Sequence, residues 1–271
     1  MAARTGEPCI PSARPDGMAP RGLKKLLKDT CPAKLVRNGG FRCFEVLKQG
    51  VLTGQKLKGL TKALESKVWS HGTMPSIARY GTVKRKGWTG KDGGRRRGRA
   101  VDDQLTRAVN SGKIHPTVGQ YILTKMTLAA LAEHGLEPVA CQRAVCMQSR
   151  RIGTAIDVLA YQKTTAQLVV VELKCGHSGS KEAAAEHHGT PCKMQGPLKK
   201  APDNTINRHF AQLACTREMF ARERSTITKL NGIGISSDLG AALLYVTEEN
   251  SELYTLSTWW TDRSMRIMEY M

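Results

Sequence analysis

No stretch of this sequence reaches the roughly 18 consecutive apolar residues of a membrane span, so no transmembrane helix is expected. The first residues lack the apolar h-region of a secretory leader. The eight cysteines in a chain of 271 residues are therefore expected as reduced thiols in an intracellular protein, because a disulfide framework belongs to short secreted chains. Aromatic residues are few, at 5%. A hydrophobic content of 40% still supports a sizeable core, built mainly from aliphatic side chains. Acidic residues are scarce in one region only. Residues 1–100 hold 23 Lys and Arg against 6 Asp and Glu, whereas 101–271 hold 19 against 17. A nearly neutral globular part thus carries a strongly basic first third. That asymmetry favours a polyanionic partner, and a basic tail alone also suits membrane surfaces or ribosomal RNA.

The chain divides on this basis. Residues 1–20, rich in Pro, Gly and Ala, are expected as a disordered tail. Residues 21–82 show apolar spacings of three and four with Lys between them, which predicts two or three short amphipathic helices in a basic extension. Residues 83–99 form a basic, Gly-rich linker. Its cations Lys84, Arg85, Lys86, Lys91, Arg95, Arg96, Arg97 and Arg99 suit phosphate contact or a nuclear localisation signal. The nucleus is therefore the favoured location. A mitochondrial transit peptide is the alternative, disfavoured by Glu7, Asp16 and Asp29. Residues 100–271 are expected to form the globular core. Its order is a helix at 98–112, a helix from Pro116 to Gly135 and strands at 137–148, 155–161 and 168–174. A long segment at 175–204, a helix at 207–224, strands at 239–247 and 252–260 and a terminal helix then follow. This is an α+β order.

Three charges sit inside the two apolar strands AIDVLAY and LVVVELK: Asp157, Glu172 and Lys174. Glu172 and Lys174 point the same way, because side chains alternate along a strand. If the QKTTAQ connection is centred between Thr164 and Thr165, Asp157 lies directly opposite Glu172. Two carboxylates so placed repel unless a cation sits between them, and oxygen ligands suit Mg²⁺ or Mn²⁺ better than Zn²⁺. A slip of one residue would turn Asp157 to the other face. The bland alternative is a surface hairpin whose charges face water. The apolar context argues against it, since buried charges need partners.

The pattern D-x14-E-x-K with apolar strands on both sides resembles the core of the PD-(D/E)xK nuclease superfamily. The helix at 207–224 extends the resemblance to the RecB-like and lambda-exonuclease-like branch, whose Q-x-x-x-Y motif places Gln212 in register and has Thr216 where the Tyr usually stands. The resemblance implies a restriction-endonuclease-like core, a central mixed sheet flanked by helices, with the basic helical extension added to it. It implies Asp157, Glu172, Lys174 and Gln212 as catalytic residues, and Asp157, Glu172 and the Leu173 backbone carbonyl as ligands of Mg²⁺ or Mn²⁺. Family members often carry a Glu on the preceding helix; GRAVDDQL offers Asp103 or Gln104 for that place. The implied activity is metal-dependent hydrolysis of DNA, most simply by an exonuclease that processes ends in recombination, repair or replication, including viral replication. A structure-specific endonuclease or resolvase with the same site, and a non-catalytic basic nucleic-acid-binding protein, are the alternatives.

DNA is the expected partner, with Arg143, Arg151, Lys199 and Lys200 as further strand contacts beside the linker cations. Solvated surface charge is the plain reading of each. Cys175, His177, His187, His188 and Cys192 have ligand chemistry suited to zinc, but their spacing matches no standard finger.

Overall fold

The computed structural model describes residues 19–38, 41–70, 93–111, 122–175 and 192–271. They form an α+β fold around a mixed sheet of eight strands with helices on both faces. The strand β6 (Gln167–Cys175) shows why the fold is layered. Its residues Leu168 to Leu173 are all buried. Leu168 and Val170 join one hydrophobic cluster, while Val169, Val171 and Leu173 join the other, as alternation between two covered faces requires. Each buried apolar side chain contributes about 1.5–3 kcal/mol. The five together outweigh the several kcal/mol that burying one charge costs. The apolar residues therefore set the register, and Glu172 is carried inside with 2% exposure.

The first cluster packs β6 against α1 (Leu23–Asp29), α2 (Leu60–Lys67), α5 (Thr205–Ala221), α6 (Arg224–Asn231) and α7 (Thr258–Tyr270). The second packs it against α3 (Gly93–Ser111), through Val101, Leu105 and Val109, and α4 (Ile122–Glu133), through Leu123, Ala130 and Leu131.

The axis of the sheet is β5 (Ile152–Gln162). One edge pairs antiparallel with β4 (Leu136–Met147) along its length. The other edge is shared. β6 pairs with it antiparallel over Val158–Gln162, and β3 (Val51–Gly59) pairs with it parallel at Ile152 and Gly153. The β5–β6 register is the one centred between Thr164 and Thr165, with Val158 opposite Val171. β7 (Leu239–Val246) runs parallel to β6, and β8 (Ser251–Thr255) runs antiparallel to β7. Among the described residues no helix is long and apolar enough to cross a membrane.

The expectation of a helical extension at 21–82 is corrected. Helices α1 and α2 are present, but β1 (Ala33–Asn38), β2 (Phe41–Lys48) and β3 form an antiparallel meander between them. The helix-like spacing of Leu47, Val51 and Leu52 comes from two strands folded on each other. Gln49 and Gly50, with φ of 52° and 80°, make a two-residue turn with Lys48 opposite Val51. That turn demands positive φ at both residues, and a glycine between apolar pairs is its readable signal. The segment is also part of the main core, which includes Leu23, Leu27, Leu60 and Leu64.

Three further boundaries change. α3 begins at Gly93, so Arg95–Arg99 lie in a helix and not in a linker. β8 stops at Thr255, and Trp259 and Trp260, expected in a strand, open α7, where Trp260 packs 5.8 Å from Phe210. The short helix α6 was not expected. The tail to residue 18, the helix start at Pro116 and the Cys/His segment 176–191 lie outside the described residues.

Arg143 corrects a proposed surface contact, because it is 5% exposed. Its guanidinium forks onto the Glu223 carboxylate at 2.9 and 2.7 Å, donates to the Leu27 carbonyl at 3.2 Å and lies 4.8 Å from the Phe220 ring centre. It ties α1 and β4 to the α5–α6 junction. Arg143→Ala leaves Glu223 buried without its cation, which should lower stability by about 3–5 kcal/mol in urea unfolding. Replacing both residues by apolar ones, as in Arg143→Met with Glu223→Leu, should recover most of that loss. A surface DNA contact would instead show weaker binding with unchanged unfolding.

Candidate functional site

The β5–β6 ladder ends at Val158 and Val171. Beyond it the strands part. Glu172–Cys175 continue to pair with β7, and on β5 residues 154–157 lie between the contact with β6 and the contact with β3. The result is a notch in the sheet, lined by the first residues past the ladder, Asp157 and Glu172.

Asp157 fills the place of the missing ladder bond. Its Oδ2 accepts from the Leu173 N–H at 3.0 Å, and its Oδ1 accepts from Gln142 Nε2 at 3.3 Å. In an extended strand the N–H and C=O of one residue point to the same edge, so the Leu173 carbonyl opens onto the same notch. Alternation places Glu172 and Lys174 on the α5 face. There Glu172 Oε1 accepts from the Lys174 ammonium and, at 2.7 Å, from Gln212 Nε2. No described residue donates to Oε2 of Glu172.

Gln212 is aimed by the way α5 begins. The Asn204 side chain caps the helix by accepting from the Asn207 N–H at 3.1 Å. Buried Arg208 pairs with Asp203 at 2.6 Å and stacks 4.7 Å above Trp69. Thr216, in the position of the motif tyrosine, is 1% exposed and donates its hydroxyl to the Gln212 carbonyl at 2.8 Å. It therefore supports the helix turn that carries Gln212. One turn earlier, His209 Nδ1 lies 2.8 Å from the Tyr245 hydroxyl, and Tyr245 is the strand neighbour of Lys174.

Burial pushes Glu172 up to about 7 against the opposing pull of Lys174, with the charges of Asp157 and Asp102 adding to the rise. Burial also raises Asp157, opposed by the charge of Lys174 and by the bonds from Leu173 and Gln142. Burial works against the Lys174 ammonium, yet Glu172 and Asp157 outweigh it and hold its pKa above the usual lysine value. One ammonium thus faces two buried carboxylates that it does not fully stabilise in their charged forms. A hard divalent cation fits this deficit. Asp157, Glu172 and the Leu173 carbonyl are all oxygen donors, and Mg²⁺ and Mn²⁺ suit such sets, Mg²⁺ usually binding one or two carboxylates while keeping several waters. Among the described residues no group of three or more His, Cys, Asp and Glu side chains offers a fuller cage.

The acidic residue that α3 contributes is Asp102. Its charge reaches Glu172, Lys174 and Cys141. Asp103 is exposed, and Gln104 Oε1 accepts from the Thr124 hydroxyl at 2.9 Å, linking α3 to α4. Asp102 stands three residues before Leu105 and seven before Val109, beside the buried stripe. Arg99, Arg151, Lys199 and Lys200 are exposed, so they remain open to a partner. Arg95, Arg96 and Arg97 lie in the first turns of α3, and Lys84, Arg85 and Lys86 lie outside the described residues.

Gln142 was missed. It sits within β4 opposite Asp157, flanked by the pairs Cys141–Val158 and Arg143–Ile156, and its φ is 53°. A non-glycine residue in the left-handed region inside a strand carries strain of roughly 1–3 kcal/mol, and such residues cluster at functional sites. No periodicity in the sequence signals it. No protein-family model matches the chain, and a search of curated proteins finds no match.

Two outcomes follow from this geometry. At position 142 the usual strand preference should invert: Gln142→Gly should be at least as stable as the parent and Gln142→Val less stable, by about 1 kcal/mol or more in chemical unfolding. Without divalent cation, Glu172 is neutral in the folded protein up to about 7, against 4.5 for its ordinary value. Its stabilising contribution is then full below 4.5 and lost as pH rises through 7. Relative to Glu172→Gln, the parent should lose about 3 kcal/mol across that window in thermal or urea unfolding.

Proposed function

We propose that the protein is a metal-dependent deoxyribonuclease, an exonuclease that processes DNA ends in recombination, repair or replication, on a restriction-endonuclease-like core of the PD-(D/E)xK kind. The observation that carries this reading is the notch where β5 and β6 part. Asp157 and Glu172 meet there, and both Lys174 and Gln212 hold the same Glu172 oxygen. These are the four side chains that the D-x14-E-x-K pattern and the following helix assign to catalysis. The basic first third supports a polyanionic substrate.

Each residue has a task. Asp157, Glu172 and the Leu173 carbonyl would hold Mg²⁺ or Mn²⁺, and the ion would supply Lewis acidity and a bound water of lowered pKa. Gln212 and Lys174 fix the Glu172 carboxylate by engaging Oε1. The Lys174 ammonium donates to Glu172 Oε1, which places it beside that carboxylate. Its raised pKa keeps the proton on Nζ. It therefore donates a hydrogen bond to orient the attacking water and stabilises the negative charge that builds on the phosphorane oxygens.

Digestion of end-labelled linear DNA, closed circular DNA and RNA with and without Mg²⁺ tests this. Linear DNA should be degraded from its ends while circles persist. Glu172→Gln and Lys174→Ala should each lower cleavage by about a hundredfold or more and leave DNA affinity in EDTA nearly unchanged. Cleavage of closed circles would assign a structure-specific endonuclease. Salt-sensitive binding with no turnover in any metal would sink the enzymatic reading.

A further inference from the structure

We propose that the β1–β2–β3 meander is a duplex-binding wing that holds the DNA backbone ahead of the notch; its direction relative to the reacting end rests on the nuclease reading. The wing is part of the same sheet edge as the site. β3 touches β5 at Ile152 and Gly153, and the notch begins on the next residue of β5. The attachment is tight, since a Cβ at Gly153 would come within 3.0 Å of Leu57 and 3.2 Å of Phe44. Val46 and Leu57 are buried, so the near half of the wing is seated on the core. The far half is not: Val51 is 68% exposed and Leu52 43%.

The chemistry of the exposed part fits a polyanion. Lys34, Lys48, Lys56 and Lys58 are exposed, and the meander contains one acid, Glu45. Lys34 and Lys56 stand in register on either side of Glu45, whose Oε1 is engaged by the Gly54 N–H at 2.6 Å. The charge excess is what phosphate contact requires. The apolar tip at Val51 and Leu52 suits the sugar edges of a minor groove, where exposed apolar side chains act as wedges. β3 is parallel to β5, so the tip lies back along the strand direction from Asp157. Counting back along β5 to Ile152 and then along β3 from Lys58 to Val51, at about 3.3 Å per residue, gives a reach of roughly 40 Å. At about 3.4 Å per base pair that is roughly 12 base pairs of duplex.

The test uses the full chain and the variant Lys34→Ala/Lys48→Ala/Lys56→Ala, with Lys→Arg at the same positions as control. In EDTA, the salt dependence of binding to a duplex of about 24 base pairs should flatten by about 2.7 in log–log slope for three lost phosphate contacts. The arginine control should restore it. With Mg²⁺, kcat/KM of the parent should rise as hairpin-capped duplexes lengthen from about 6 to about 16 base pairs, and the alanine variant should lose that rise. An unchanged salt slope overturns the wing. A flattened slope with an unchanged length dependence overturns its position ahead of the notch. A flattened slope in a protein that cleaves nothing keeps the wing and removes the nuclease reading.

Discussion

One hydrogen bond organises this structure: the Leu173 N–H, which by position would continue a β-ladder, donates to the Asp157 carboxylate. A buried backbone N–H left without an acceptor costs about 1–3 kcal/mol. The side chain of Asp157 supplies the acceptor that the departing strand withdraws. The strands can therefore separate without an orphaned donor, and separation is what leaves Asp157 and Glu172 past the end of the ladder. The same bond holds Asp157 against β6, so the two carboxylates stay together although their backbones diverge. Gln142, in a left-handed conformation across β4, completes the distortion from the other side of β5. A regular ladder on both edges would leave no room for a ligand between Asp157 and Glu172.

The notch is useful only if α5 keeps Gln212 over Glu172, and α5 is held near both ends by a buried ion pair. Near its start, Arg208 joins Asp203 and the Trp69 ring, and the Asp203 carboxylate also accepts from the Ser70 N–H at 2.8 Å. Past its end, Glu223 holds Arg143 on β4. Buried ion pairs contribute little net stability compared with apolar residues of similar size. Their directional bonds act on position instead. Hydrophobic packing alone would let a helix slide or rotate by a fraction of a turn at small energetic expense. Two forked guanidinium–carboxylate contacts on different elements do not permit that.

How much of this was legible in the sequence follows from which physical signal each part depends on. The β5–β6 register could be read, because two continuous apolar runs flank a connection that is symmetric about Thr164 and Thr165. The pairing of Asp157 with Glu172 and Lys174 followed from that register, whereas Gln212 came from the resemblance of the following helix to the Q-x-x-x-Y motif. The meander could not be read from spacing, because apolar residues four apart across a two-residue turn, Leu47 and Val51, imitate the spacing of a helix. Its real signal was the glycine of Gln49–Gly50, a local conformational demand and not a period. Asp102 could not be told from Asp103 and Gln104 by spacing alone, because what distinguishes it is the tertiary contact that brings its charge to Glu172 and Lys174. Arg143 looked like a surface cation because nothing nearby in sequence announces Glu223, which is 80 residues away. Gln142 is strained by tertiary contacts, and such strain leaves no periodic trace.

Charge is divided in the same spirit along the chain, and the division has a physical reason. The residues around the notch bring Asp102, Asp157 and Glu172 together with a single ammonium, so carboxyl groups outnumber cations there. Under the proposed nuclease reading, that balance would attract a divalent cation and would repel a phosphodiester as long as the cation is absent. A polyanion therefore has to be drawn in by charges placed elsewhere. The excess of 17 positive charges in the first 100 residues would suit that task under the proposed reading, and part of it sits on the meander whose strand β3 pairs with β5. Screening confines each of these fields to about 10 Å at ordinary salt. The basic strands and the acidic notch can thus lie on one sheet without cancelling.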